Sequence, residues 1–255
     1  MNPLDPVPLG WQRLAALVLF AEGTFLIVWL THMVARAGAS AAIGERARRL
    51  APLLTGLFLA LWLGLAVVVG DGAHFPLAAE VYRRPLSGLV ALVPVVFVSV
   101  VLRRSRSWQA INAAAANRSL IAVQVYRVAG VLFLFPFFAY GTLPAGFAWP
   151  AAVGDVITGI LAPFVANAVA RNPRQAWGWA VAWNLFGMAD LVVAPVAAVL
   201  SHARVLEMYP LALVPLLFGP PLGLLLHLHS LHNLAAARSE MRRTPAAADA
   251  RAAIA

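Results

Sequence analysis

Apolar residues gather into seven runs along the chain, near 11–36, 50–70, 85–102, 119–141, 147–170, 177–200 and 209–234. Each approaches or exceeds the roughly 20 residues that an α-helix needs to cross the hydrocarbon core of a bilayer. Such runs predict helices, because a spanning segment must satisfy every backbone N–H and C=O internally. The pattern predicts an all-α polytopic membrane protein whose residues 1–234 form one seven-helix domain. Residues 235–255, rich in Ala and Arg, read as a flexible cytoplasmic tail.

The breaks between the runs support this division. Arg103, Arg104 and Arg106 stop the third run, and "GTLPAGF" separates the fourth and fifth with Gly141, Pro144 and Gly146. The segment 103–118 is too polar to span and is expected to lie along the inner surface, with Trp108 and Ile111 dipping in. The first run is long, carries Glu22 and lacks a basic flank ahead of it, so it reads as a retained helix rather than a signal peptide. Pro210, Pro215, Pro220 and Pro221 predict a kink in the last run at "FGPPLG". "ALVPVVF" at 91–97 recurs as "ALVPLLF" at 212–218, a similarity that a composition dominated by Ala, Leu and Val also produces by chance.

Composition sharpens the picture. The chain of 255 residues is 62% hydrophobic and 11% charged, well short of the roughly 25% charged residues of a soluble domain. The net charge of +9 comes from 19 basic residues, all arginine, set in short clusters between apolar runs. That distribution argues for a bilayer as partner and against nucleic acid. Fourteen arginines follow runs 1, 3, 5 and 7, while four (Arg13, Arg83, Arg84 and Arg204) lie on the other side. By the positive-inside rule the N-terminus is outside and the C-terminus cytoplasmic, in the manner of a bacterial inner (plasma) membrane protein. With no cysteine, disulfides and thiolate sites are excluded. With no lysine, a retinal Schiff base is excluded.

Candidate chemistry lies in the polar residues inside the runs. Ionisable groups at membrane depth are costly and tend to face the bundle interior. They are Glu22 and His32 in run 1, Gln124 and Arg127 in run 4, Asp155 in run 5, Asn184 and Asp190 in run 6, and His227 in run 7. A rise of about 1.5 Å per residue puts Asp155 and Asp190 at similar depth, with Arg127 positioned to reach toward the carboxylates. Three acids against one arginine leave an excess of negative charge, which calls for protons or a bound cation. Glu22, Gln124, Arg127, Asp155, Asn184 and Asp190 are therefore expected to form a central site for a small solute, a proton or a cation.

"LLLHLHSLHNL" (224–234) raises a second possibility. His229 and His232 share a helical face while His227 points nearly opposite. A metal or haem would have to be held between helices, by His32 with His227 or His229. A third reading is a sensor or assembly subunit whose buried charges only hold partners. Phosphate-loop, nucleophile-elbow and zinc-protease motifs are missing, so the residues supply no motif for an enzyme of soluble type.

Overall fold

The computed structural model describes residues 7–71, 95–101 and 104–252. Within them the chain is all-helical, and five helices are long and apolar enough to cross a membrane. The first two are α1 (Leu9–Ser40) and α2 (Glu45–Gly70). Residues 95–101 are helical, while the rest of the third predicted run lies outside the described residues. Next come α3 (Arg106–Ala114) and α4 (Asn117–Ala122), a 3₁₀ segment over Val123–Phe133, and α5 (Leu134–Tyr140). Asn117–Tyr140 is thus one continuous helical rod. It ends at Gly141, whose φ of +61° is the left-handed geometry that favours glycine. α6 (Ala145–Arg171) and α7 (Pro173–Leu200) follow. Asn172 and Pro173 open α7, with Asn172 Oδ1 accepting from Gln175 N–H at 3.2 Å.

The seventh run is not one regular helix. Val214–Leu222 is wound wide, as a π-helix, and Gly219 leaves helical geometry at φ −71°, ψ −110°. Pro215, Pro220 and Pro221 supply the cause, since each lacks the N–H that continues an α-helical ladder. α8 then starts at Gly223 and continues to Ala252, so the segment anticipated as a flexible tail is helical through that residue.

Within the segment expected to lie along the inner surface, residues 106–114 form α3. Ser105 caps α3 by accepting from Trp108 N–H, and Ile111 is buried against Val34, Ala37, Ala41 and Ala51. Asn233 of α8 holds the far end of α3, its Nδ2 donating to the carbonyls of Asn112 (3.1 Å) and Ala115 (3.3 Å). α3 therefore closes one end of the bundle, tied to both α1 and α8.

The distribution of polarity is the reverse of a water-soluble core. Leu17, Leu61, Phe164 and Val199 are exposed, whereas Gln124, Arg127, Asp155, Thr158, Asn184, Asp190, His227 and Ser230 are buried. An apolar exterior over a polar interior is stable where the surroundings are hydrocarbon. The polar interior sits where the 3₁₀ segment, α6, α7 and α8 pack together.

Candidate functional site

The 3₁₀ segment aligns the site. With three residues per turn, side chains at i and i+3 eclipse one another. Gln124, Arg127, Gly130 and Phe133 consequently form one stripe, and all four are buried. An α-helix would have spread these positions around the axis. On α6, Asp155 and Thr158 stand one turn apart, both buried.

Glycines bring the backbones close enough for short polar contacts. A Cβ at Gly130 would come within 2.5 Å of Asp155 Cβ, and one at Gly159 within 2.7 Å of Val128 N. A Cβ at Gly154 would overlap the Asp190 carboxylate, and one at Gly187 the His227 ring. The glycines thus leave the volume that the charged side chains occupy.

Arg127 is the hub. Its Nε donates to Asp155 Oδ1 at 2.6 Å, and its Nη2 donates to Asp190 Oδ2. Its Nη1 donates to the Gly187 carbonyl at 3.2 Å and meets His227 Nε2 at 3.1 Å. Because guanidinium can only donate, His227 Nε2 must be the acceptor, which places the ring hydrogen on Nδ1. His227 Nδ1 then donates to Asn184 Oδ1 at 2.9 Å. Asn184 Nδ2 uses both hydrogens, toward the Ala180 carbonyl (2.7 Å) and Ser230 Oγ (3.0 Å). The result is a directed chain, Arg127 to His227 to Asn184 to Ser230, running along α7 and α8. Trp183 covers it, its ring 5.1 Å from His227 and its Nε1 donating to the Thr158 carbonyl at 3.1 Å.

The structure therefore joins Arg127, Asp155, Asp190 and Asn184 of the predicted set, and adds His227. Glu22 stands outside the hydrogen-bonded group. Its Oε2 is buried with no hydrogen-bond partner among the described residues, within electrostatic reach of Asp155. Gln124 is fully buried, and neither of its amide atoms has a partner there. Thr158 Oγ1 is in the same condition. With both aspartates ionised, the Arg127 group carries one net negative charge, and Glu22 adds to it. Buried groups lacking partners and a surplus of acid are features that a bound proton, cation or polar molecule would relieve.

The three histidines proposed as metal or haem ligands have separate uses. His32 is exposed on α1, His229 Nδ1 bonds the Leu225 carbonyl at 2.6 Å, and both His227 ring nitrogens are engaged. In this structure His227 thus has both ring nitrogens engaged, by Arg127 and Asn184, and is not joined to His32. No cluster of three or more His, Asp or Glu residues suited to a metal occurs among the described residues. Ser230, Thr158 and Gly130 were not anticipated as parts of the site. Their signals were spacing alone: Ser230 lies at i+3 from His227, Thr158 at i+3 from Asp155, and Gly130 at i+3 from Arg127.

Neither the curated proteins nor the solved structures contain a match to this chain. One family model matches residues 84–235, a span that holds Arg127, Asp155, Asn184, Asp190, His227 and Ser230 but leaves Glu22 outside. Since that match covers more than half of the sequence, the chain belongs to the family described as "Domain of unknown function (DUF8737)".

Proposed function

We propose that this chain is a seven-helix protein of a bacterial inner membrane that binds or moves a small solute, a proton or a cation through the Arg127–Asp155–Asp190 site. Its N-terminus would lie outside and its C-terminus in the cytoplasm, a placement that rests on the fourteen-to-four arginine split. The observation that carries the function is the imbalance of charge. One arginine is clamped between two buried carboxylates, and a third carboxylate oxygen, Glu22 Oε2, lies buried and unpartnered nearby. Polar contacts in membrane bundles contribute only about 0.6 kcal/mol on average, so stability is a weak reason to retain so costly a cluster. A site that exchanges a proton or cation gives the surplus acid a role.

The experiment uses purified full-length protein in liposomes containing a pH-reporting dye, driven by a potassium gradient with valinomycin. A parallel set measures sodium uptake. Proton or sodium entry above that of protein-free liposomes is expected, abolished by Asp155→Asn and by Asp190→Asn but unchanged by Arg238→Gln at an exposed position of α8. Absence of both fluxes in the unmodified protein overturns the proton and cation forms of the proposal, and full flux in both aspartate variants overturns the assignment of the site.

A further inference from the structure

Glu22 is the acid that the Arg127 hub leaves unserved. On α1 it stands at the edge of the buried stripe of Ala15, Leu19, Gly23 and Leu26, with Val18 one turn before it and Phe25 one turn after. Trp11 near the start of α1 stacks on Phe135 at 4.9 Å, while Val34 and Ala37 near its end pack with Ile111 of α3. α1 therefore runs antiparallel to the rod of Asn117–Tyr140. From Trp11 to Glu22 an α-helix advances about 16 Å. From Phe135 back to Arg127 the tighter 3₁₀ winding covers about the same distance. Glu22 and Arg127 thus share one depth, and the charges of Glu22, Arg127 and Asp155 all act on Tyr126 between them in the site.

Hydrogen-bond donors divide the three carboxyl groups. Asp155 and Asp190 each receive an N–H of Arg127, so their charge is met by a charge-assisted bond. Glu22 Oε2 is buried and receives none among the described residues. Ionised, it would be an unpaired charge beside a group already one charge negative. A single proton on Oε2 removes that charge and needs no other ligand. A metal cation needs several oxygens converging on it, and no group of three or more His, Asp or Glu residues suited to one occurs among the described residues. Two neutral groups border the same cluster. The Gln124 amide lies one turn from Arg127 on its stripe, and the Thr158 hydroxyl one turn from Asp155; both are fully buried without a partner there. The 3₁₀ segment and α6 run antiparallel, Gly130 against Asp155 and Val128 against Gly159, so both steps lead toward the same end of the bundle. These groups can hydrogen-bond a water that delivers a proton, but they bring no charge to hold a metal ion.

We propose that Glu22 is the proton-binding residue of this membrane interior, held as the neutral acid beside ionised Asp155 and Asp190, and that the ion handled at the Arg127 site is the proton. The inference rests on the function proposed above and narrows it to one ion and one carboxyl. In the exchange a hydronium ion gives its proton to Glu22 Oε2, forming one O–H bond and leaving water. Transfer of that proton back to water restores the carboxylate. Arg127 keeps its charge throughout, since guanidinium is not deprotonated in proteins. A neutral carboxyl at this place is also a modification site. α1 turns Leu17 and Val28 outward, so an acid at the border of its buried stripe is open from the apolar side to a lipid-soluble carbodiimide, a reagent that adds to protonated carboxyl groups.

The test treats the purified full chain in detergent, at neutral pH, with dicyclohexylcarbodiimide and locates adducts by peptide mass spectrometry. One adduct per chain is expected, on Glu22, with Asp155 and Asp190 unmodified. A water-soluble carbodiimide with glycine ethyl ester should instead label exposed Glu45 and spare Glu22. Glu22→Gln replaces a neutral acid by a neutral amide of the same shape, so the melting temperature should hold while proton entry into liposomes falls to the protein-free level. Glu22→Asp should retain part of that entry. Adducts on Asp155 or Asp190 in place of Glu22, no adduct on Glu22, protection of Glu22 by sodium, or full proton entry with Glu22→Gln would each overturn the proposal. Labelling is read without any flux, so the two readings fail separately. Glu22 labelled in a protein that moves no ion would keep the neutral acid and overturn the transport reading on which the choice of ion rests. Proton entry lost in the aspartate variants but intact with Glu22→Gln would keep the transport reading and overturn the role of Glu22.

Discussion

Arg127 Nε donates to Asp155 Oδ1 at 2.6 Å while the same guanidinium donates through Nη2 to Asp190, so one cation on the 3₁₀ segment bridges carboxylates on α6 and α7. Arginine suits this position because its planar fork is rigid, permanently charged and able to serve several acceptors at once. Lysine would bring a point charge with three donors on a flexible stem. The bridge is therefore both a charge pair and a geometric clamp, and the two roles separate under mutation.

Arg127→Gln is expected to destabilise the protein strongly, in the range of about 3–5 kcal/mol found when one member of a buried ion pair is removed. Adding Asp190→Asn to Arg127→Gln should recover part of the loss, because it removes a carboxylate left without its counter-charge. Coupling between directly contacting residues is expected at about 0.5–3 kcal/mol in a double-mutant cycle. Melting temperatures of the four proteins in detergent provide the measurement. Strict additivity would mean that Arg127 and Asp190 do not meet.

The glycines give a prediction with an internal control. Gly130→Ala and Gly154→Ala force a methyl group against Asp155 and Asp190 respectively, and overpacking of this kind costs about 1–3 kcal/mol. A Cβ at Gly64 or Gly178 meets nothing within 4 Å. Those two changes lie inside α2 and α7, so alanine should be neutral or stabilise by about 0.5–1 kcal/mol through helix preference. The same thermal assay applied to all four variants decides the point, and a uniform effect across them would refute the close-packing account.

Part of this arrangement was legible in the sequence, for physical reasons that differ by residue. Arg127, Asp155 and Asp190 stand out because an ionisable group in an apolar run has few causes, and their helices are sequence neighbours. The break before α8 was visible as Pro215, Pro220 and Pro221. The 3₁₀ winding of Val123–Phe133 was not, because Val, Leu and Phe fill both the three-residue and the 3.6-residue periods and leave no contrast. Sequence alone offers His32 with either His227 or His229 as a pair across helices, whereas the environment of His227 is set by Asn184 and Arg127 from other helices. The docking of α3 onto Asn233 joins residues more than a hundred positions apart, which no local pattern records.

The arginine distribution predicts topology. A reporter fused after Ala236 should be active in the cytoplasm, and one fused ahead of residue 1 should be active outside. Fourteen arginines follow runs 1, 3, 5 and 7 and four lie on the opposite side, an asymmetry of the kind that sets orientation at insertion. Activity of both reporters on the same side would rule out an odd number of spans. Exchange of the two results would invert the proposed orientation while leaving the packing of the site intact.

The directed chain from Arg127 to Ser230 makes His227 the residue whose replacement separates shape from hydrogen bonding. His227→Leu keeps an apolar body beside Trp183 but removes the acceptor for Arg127 Nη1 and the donor for Asn184 Oδ1. Each buried group left unsatisfied costs about 1–3 kcal/mol, so a loss of several kcal/mol is expected. His227→Gln retains one acceptor and one donor on a single amide and should recover a measurable part of that loss. Pairing His227→Leu with Asn184→Leu tests the direction of the chain, since the second change eliminates the stranded Asn184 oxygen and should make the double variant less destabilised than the sum of the singles. Ser230→Ala removes only the terminal acceptor, and its effect should be the smallest of the series. Thermal melts of these variants, with His227 ring nitrogen chemical shifts from a ¹⁵N-histidine sample, provide the check. A Nδ1-protonated ring is the expected signature, because Nε2 faces a guanidinium that can only donate. A ring protonated on Nε2 would mean that the Arg127–His227 contact is not a hydrogen bond, and the chain would have to be redrawn from Asn184 onward.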